Sequence, residues 1–161
     1  MARKFAENTE VPVERSRSEI EGLIVRYGAT STAFFTGPDE SMIAFEAKGR
    51  RVIFRLPLPK RSQKEIANYR HSTGKWVPRD AGGIQAAWEK ACRQRWRALA
   101  LVIKAKLEAV ECGISLFEDE FLANIVMPDG QTVSDHVRPR IAAAYESGTM
   151  QPLLPAPSKL Q

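Results

Sequence analysis

Between Ile84 and Cys112 apolar residues return every three or four positions: Trp88, Cys92, Trp96, Leu99, Ile103, Leu107 and Val110. At about 3.6 residues per turn this spacing draws one continuous stripe along a long helix, which Gly113 then ends. Ala98, Ala100, Leu101 and Val102 widen the apolar surface in its middle. Such a helix gains its stability by burying that face, so the other elements must be laid along it. The stripe exceeds what a small sheet covers. Two C-terminal helices are expected to cover the rest, and a homodimer seam or a host-protein contact is the alternative.

Ahead of the helix the period changes from 3.6 to two. Thr32–Thr36 carries Phe34 and Phe35 and leads into the turn Gly37-Pro38-Asp39-Glu40. From Ser41 to Lys48, Ile43, Phe45 and Ala47 alternate with Met42, Ala44, Glu46 and Lys48. Gly49 marks a tight connection, and from Arg50 to Leu58 Val52, Phe54 and Leu56 alternate with Arg51, Ile53 and Arg55. This predicts a three-stranded antiparallel meander with one packed face, ended by Pro57 and Pro59. A helix at about 17–27 precedes it, opened by a Ser16/Glu19 capping box, packed through Ile20, Leu23, Ile24 and Tyr27, and stopped by Gly28.

Beyond the long helix, Ser115 and Glu118 suggest a second capping box opening a short helix through Leu122. Met127-Pro128-Asp129-Gly130 reads as the turn of a small hairpin. Thr132 opens a last helix at about 133–146, kinked or restarted at Pro139 and closed by Gly148. The fold class is therefore α+β. A chain of 161 residues fits one domain and one core. The sequence predicts that domain at 14–148, between a flexible arm at 1–13 and a Pro-rich tail at 149–161. Inside it, 59–83 is a basic connection, with a short helix from Ser62 through Tyr69, a loop from His71, and a flexible Gly82-Gly83 junction.

Several classes are set aside by what is missing. The longest apolar run, Ala98–Ile103, is far short of a membrane span, and the first ten residues show no apolar stretch of a secretory signal. Cys92 and Cys112 are too isolated for a zinc site or a disulfide framework and are expected to be buried thiols in a reducing compartment. No nucleophile elbow or phosphate-cradling Gly-rich loop occurs, and nothing calls for a cofactor or a metal. Asp135 and His136 are neighbours that cannot face each other on a helix, and Glu118-Asp119-Glu120 fits helix N-terminal charge.

Charge is the informative quantity. From Lys48 to Lys106 sixteen Lys/Arg stand against three acids, whereas the rest of the chain holds eight basic and sixteen acidic residues. A middle third this lopsided points to a polyanionic partner. On the long helix Lys90, Arg93, Arg97 and Lys104 stay near one side, with Arg93 and Arg97 expected to be solvated. The strand residues Arg50, Arg51 and Arg55 and the connection residues Lys60, Arg61, Lys64, Arg70 and Lys75 add to that surface. Trp96 sits between Arg95 and Arg97 in the manner of a base-stacking residue, but it shares the apolar stripe and is assigned to the core.

Two stretches carry a family likeness. Arg93–Ile114 (RQRWRALALVIKAKLEAVECGI) followed by Phe117–Val133 (FEDEFLANIVMPDGQTV) resembles a family of small, uncharacterised proteins encoded by bacteriophages and prophages. Glu14–Ala29 (ERSRSEIEGLIVRYGA) and Gly49–Pro59 (GRRVIFRLPLP) are similar to the N-terminal half of the same family. The likeness covers about 14–154, interrupted at 60–82. It implies a phage setting and a life in the bacterial cytoplasm, favours nucleic-acid handling or inhibition of a host defence, and supplies no catalytic residues.

One enzymatic pattern is present. Pro38-Asp39 followed by Glu46-Ala47-Lys48 matches the PD-x-(D/E)xK form of metal-dependent nucleases, in which two carboxylates hold a cation and the lysine orients a water. Glu46 and Lys48 would share a strand face, but Asp39 falls at the foot of the same strand, about 20 Å or more from Glu46 at roughly 3.3 Å per residue. The sequence therefore predicts a non-catalytic nucleic-acid-binding protein acting in replication, recombination or DNA protection. The alternative is an interaction protein that docks an acidic host factor, and a nuclease ranks third.

Overall fold

Across the sheet ladder Ile43 faces Phe34 on one side and Phe54 on the other, and Phe45 faces Thr32 and Val52. This register puts one set of alternating residues on the inner face, where Ile43, Phe45, Ala47, Val52, Phe54 and Leu56 are buried. The computed structural model describes residues 6, 9–150 and 152–154; the other parts of the expected arm and tail lie outside the described residues. In chain order it contains α1 (Val13–Arg26), β1 (Ala29–Thr36), β2 (Glu40–Ala47), β3 (Arg50–Pro57), α2 (Lys64–Ala67), β4 (Asn68–Arg70) and β5 (Trp76–Pro78). Then follow α3 (Ala81–Glu111), α4 (Phe117–Phe121), a 3-10 turn (Leu122–Asn124) and α5 (Val133–Ser147). The fold is α+β, with an antiparallel sheet in the order β1-β2-β3 and a separate β4-β5 hairpin. Lys48 and Gly49, both at positive φ (50° and 71°), make the two-residue turn between β2 and β3. That conformation matches the strand twist and favours glycine.

The stripe of α3 is the centre of the core. Trp96, Leu99, Ala100, Ile103 and Leu107 pack with Ile20, Leu23 and Ile24 of α1, the inner sheet face, Phe117 and Phe121 of α4, and Ile125. Phe121 stands edge-on to Phe45 and Phe54, with ring centres 5.9 and 6.1 Å apart, and stacks on Phe117 at 4.7 Å. Trp96 is 3% exposed, a core residue as expected. Tyr27 closes the end of α1 onto α3 by donating to Glu108 at 2.8 Å.

Serine-to-glutamate spacing does not mark the helix starts at α1 and α4. α1 begins at Val13 behind Pro12, so Ser16 lies inside the helix, fully buried, and caps nothing. A proline there has φ already set for entry into a helix and supplies the boundary instead. Ser115 does not cap α4 either. It is used in the turn that ends α3, where Gly113 takes φ 70° and the N–H groups of Ile114 and Ser115 both donate to the Ala109 carbonyl. Cys112 ends α3 exposed, not buried; Cys92 is buried as expected. α5 packs chiefly on the 3-10 turn and buries no residue. It therefore leaves the outer side of α3 uncovered, with Val102 47% exposed and Ala98 and Ala105 exposed beside it.

Gly82 and Gly83 are not a flexible junction but the first turn of α3. Asp80 caps that turn by accepting from the Gly83 N–H at 2.7 Å, and a Cβ at Gly83 would meet the same carboxylate at 3.0 Å. Glycine is there for clearance. At the other end of the fold Thr132 caps α5 in a reciprocal box with Asp135, and α5 runs continuously through Pro139. The Thr132 backbone and hydroxyl donors, with Arg55, hold the Asp135 carboxyl down at about 2, against an ordinary 3.8.

Two outcomes follow. Ile103→Ala, at a fully buried position, is expected to lower unfolding free energy by about 2–5 kcal/mol through cavity formation, measured by urea denaturation. The stabilisation from Asp135 should be complete above pH 4, shrink as the pH falls below 3.8, and vanish below about 2. Thermal melts of the native chain and Asp135→Asn across that range should converge at the acid end.

Candidate nucleic-acid interface

The twelve cations expected to form one surface fall into distinct groups in the structure. On β3, Arg51 pairs with Glu46 at 3.3 Å, Arg55 with Asp135 at 3.0 Å, and Arg50 reaches Glu118 at 3.9 Å. Acids from the neighbouring strand and from the C-terminal elements thus neutralise this group. On α3, Arg97 is half-buried and bonded to Glu19 of α1, so it is not solvated as the sequence suggested. Its position explains why. Arg97 lies beside the apolar stripe, on the flank that α1 covers, so its head group ends on α1. The flanking residues Arg95 and Lys106 behave alike, donating to the Pro57 carbonyl and to Glu120 respectively. Arg93 is half-buried too, with its Nε enclosed and no hydrogen-bond partner among the described residues. It lines a groove of about 600 Å³ together with Arg17, Trp88, Glu10, Glu14 and Glu89. Three carboxylates against two guanidiniums make that groove a poor seat for phosphate. Lys90 and Lys104 are exposed on α3.

The remaining group is different. Residues 60–79 hold Lys60, Arg61, Lys64, Arg70, Lys75 and Arg79 against the single acid Glu65. None of the six makes an ion pair among the described residues. The sequence predicts a helix through Tyr69 and a loop from His71, but the helix ends at Ala67 and an ordered ribbon follows it. β4 and β5 form a short antiparallel ribbon with Tyr69 opposite Val77 and Arg70 opposite Trp76. Gly74 at φ 82° closes its turn. Three-residue strands are too short for a period of two to show in the sequence. The lobe is tied to the domain through Trp88, whose indole N–H donates to the Pro59 carbonyl at 2.7 Å. Arg61 lies over the Trp88 ring at 4.0 Å and donates to Gln85. Ile66 of α2 is buried, and the Arg79 backbone N–H donates to the Ala67 carbonyl.

Aromatic residues within the lobe escaped the sequence reading. Tyr69 and Trp76 are 39% and 40% exposed, and each carries a cation over its ring: Arg79 on Tyr69 at 5.5 Å and Lys64 on Trp76 at 4.8 Å. The signal is present as aromatics interleaved with basic residues, Tyr69-Arg70 and Lys75-Trp76.

The enzymatic pattern does not assemble. Asp39 precedes β2 and Glu46 stands near its far end, with the strand unbroken between them. Lys48 does not share a face with Glu46, because it occupies the positive-φ turn after the strand. Among the described residues no three His, Cys, Asp or Glu are grouped so as to hold a metal ion. Burial pushes the Cys92 thiol up, against the pull of Arg61, Arg95 and Arg93, which suits a packing role and not a nucleophile. His136 pairs with Asp129 at 2.8 Å rather than with its neighbour Asp135, and the His71 ring bonds within its own turn, to the Ser72 and Thr73 hydroxyls and the Thr73 backbone N–H. No helix among the described residues is long and apolar enough to cross a membrane.

No protein-family model, curated protein or solved structure matches the chain.

The division of cations makes a direct test. Lys64→Ala, Arg70→Ala and Lys75→Ala together should weaken oligonucleotide binding at least about tenfold, with thermal stability nearly unchanged. Arg51→Ala with Arg55→Ala should leave binding within about twofold of the native chain, because those charges are already internally paired. Fluorescence anisotropy beside thermal melts separates the two sets.

Proposed function

We propose that the chain is a non-catalytic nucleic-acid-binding protein whose contact surface is the basic lobe at 60–79. The single observation that carries this reading is that the lobe holds six Lys/Arg against one acid and none of the six makes an ion pair among the described residues, while the β3 arginines and Arg97 are paired within the fold and Lys90 and Lys104 stand apart on α3. An unopposed cluster of this kind concentrates positive potential, and a phosphate chain releases condensed counterions on binding it. The lobe is anchored on α3 and prepaid in conformational entropy, which suits a surface that must present several cations at once. A role in replication, recombination or protection of nucleic acid, in the cytoplasm of a phage-infected bacterium, belongs to the same proposal.

A second reading rests on a different observation. The outer side of α3, with Val102, Ala98 and Ala105 exposed, and the unburied α5, with Ile141 and Tyr145 exposed, are apolar faces left open. They support an interaction protein that engages a host factor, or a second copy of itself. Capture of an acidic host protein that persists at high salt would favour it.

The test of the first reading is fluorescence anisotropy with labelled oligonucleotides from low to physiological salt. Affinity should fall with a log–log slope of about −0.7 to −0.9 for each phosphate contacted. No binding to any oligonucleotide at low salt would overturn it. With magnesium or manganese present, plasmid, linear and single-stranded DNA should stay intact. Cleavage that disappears in Glu46→Ala would replace the binding reading with an enzymatic one.

A further inference from the structure

From the exposed rings of the lobe we infer that its ligand is a single-stranded nucleic acid, with unpaired bases stacked on Trp76 and Tyr69 while the neighbouring cations hold phosphates. The inference rests on the nucleic-acid reading and adds a ligand class to it. Two large aromatic side chains at about 40% exposure on a three-residue ribbon do little for the core, since neither belongs to the buried cluster. Each carries one cation over its ring: exposed Lys64 over Trp76, and half-buried Arg79, its Nε enclosed without a hydrogen-bond partner among the described residues, over Tyr69. A cation held to a ring without an ion pair is a cover that a ligand can displace. A nucleobase can take the cation's place on the ring, and the released ammonium or guanidinium then stands beside the phosphate attached to that base. Ring and counter-charge are thus provided together.

The ribbon also fits this ligand better than a duplex. Tyr69 and Trp76 lie at adjacent register positions, so their side chains leave opposite faces of β4-β5. Two stacking surfaces pointing in opposite directions suit a flexible strand that wraps the ribbon. In a duplex the base faces are hidden in the helical stack, and both rings would be idle. A two-stranded ribbon can enter a major groove, but it reads base edges there through paired donors and acceptors. A ring face offers none. Stacking on an aromatic side chain tolerates any base, so both single-stranded DNA and RNA are accommodated.

The test uses the full chain and four probes of equal length: oligo-dT, oligo-U, a mixed-sequence DNA strand and the same strand as a duplex. Trp76→Leu keeps apolar bulk but removes the aromatic face, and Tyr69→Leu does the same at the second ring. Each is expected to weaken binding of the three single strands by about fivefold or more, with duplex affinity changed less than twofold. Binding of oligo-dT should quench tryptophan emission in the native chain and quench it less in Trp76→Leu. Melting curves establish that both variants are folded, and Trp76→Phe, which retains a stacking face, should recover most of the single-strand affinity. Single-strand affinity unchanged by both leucine variants, or a duplex bound as tightly as the single strands at the same salt, would overturn the inference while leaving the basic lobe a polyanion site. Absence of binding to all four probes would remove the underlying reading as well.

Discussion

The burial of one stripe of α3 decides where most of the charge in this molecule goes. A helix of 31 residues can hide Trp96, Leu99, Ile103 and Leu107 only by accepting a neighbour on each flank. Long cationic side chains beside such a stripe lay their stems on the apolar surface and end on whatever has packed there. Arg97 ends on Glu19 of α1, Arg95 on the last carbonyl of β3, and Lys106 on Glu120 of α4. These cations act as clamps between α3 and the three elements it organises. Their charge is part of the architecture, not an offer to a ligand.

The same accounting extends to the sheet. The packed face holds Val52, Phe54 and Leu56, so Arg51 and Arg55 are turned to the other side, where Glu46 and Asp135 meet them. Asp135 is fixed independently by the cap of α5. Arg55 therefore ties the edge of the sheet to the start of a helix that otherwise touches little of the domain. The acidic ends of the chain and its basic middle are complementary parts of one fold, and that complementarity absorbs much of the charge asymmetry seen in the sequence.

The regular elements were legible because their signals are long. The period of 3.6 in α3 and the alternation in β2 and β3 each persist over enough residues to fix type and inward face, so the core contributed by α1, the sheet and α3 could be read, whereas Phe117, Phe121 and Ile125 lie in segments too short to show a period. Caps were less legible. Ser16 and Ser115 have the right spacing to Glu19 and Glu118, but Pro12 sets the start of α1, and Ser115 is taken into the turn that ends α3 at Gly113, ahead of an α4 without a side-chain cap. Of the candidate site, the composition gave the basic lobe residues by position, yet not their separation from Arg50, Arg51, Arg55 and Arg97. Ion pairing is a long-range property: Arg55 and Asp135 are 80 residues apart, and Arg97 and Glu19 are 78 apart. No local pattern announces it.

This explains why the lobe, not the densest basic run, is the better candidate surface. Arg93, Arg95 and Arg97 are crowded within five residues of sequence, but they sit on the most tightly packed helix of the domain and have been assigned partners or buried by its neighbours. Residues 60–79 pack on the domain through few side chains, Trp88 and Ile66 chief among them. The rest of that segment is not required to close the core. Its cations make no ion pair among the described residues, and its part-exposed rings carry cations over them. A region loosely bound to the packing constraints of a fold can hold charge and aromatic surface in combinations that a core would extinguish. That freedom, combined with an anchored backbone, sets this lobe apart from an ordinary solvated face.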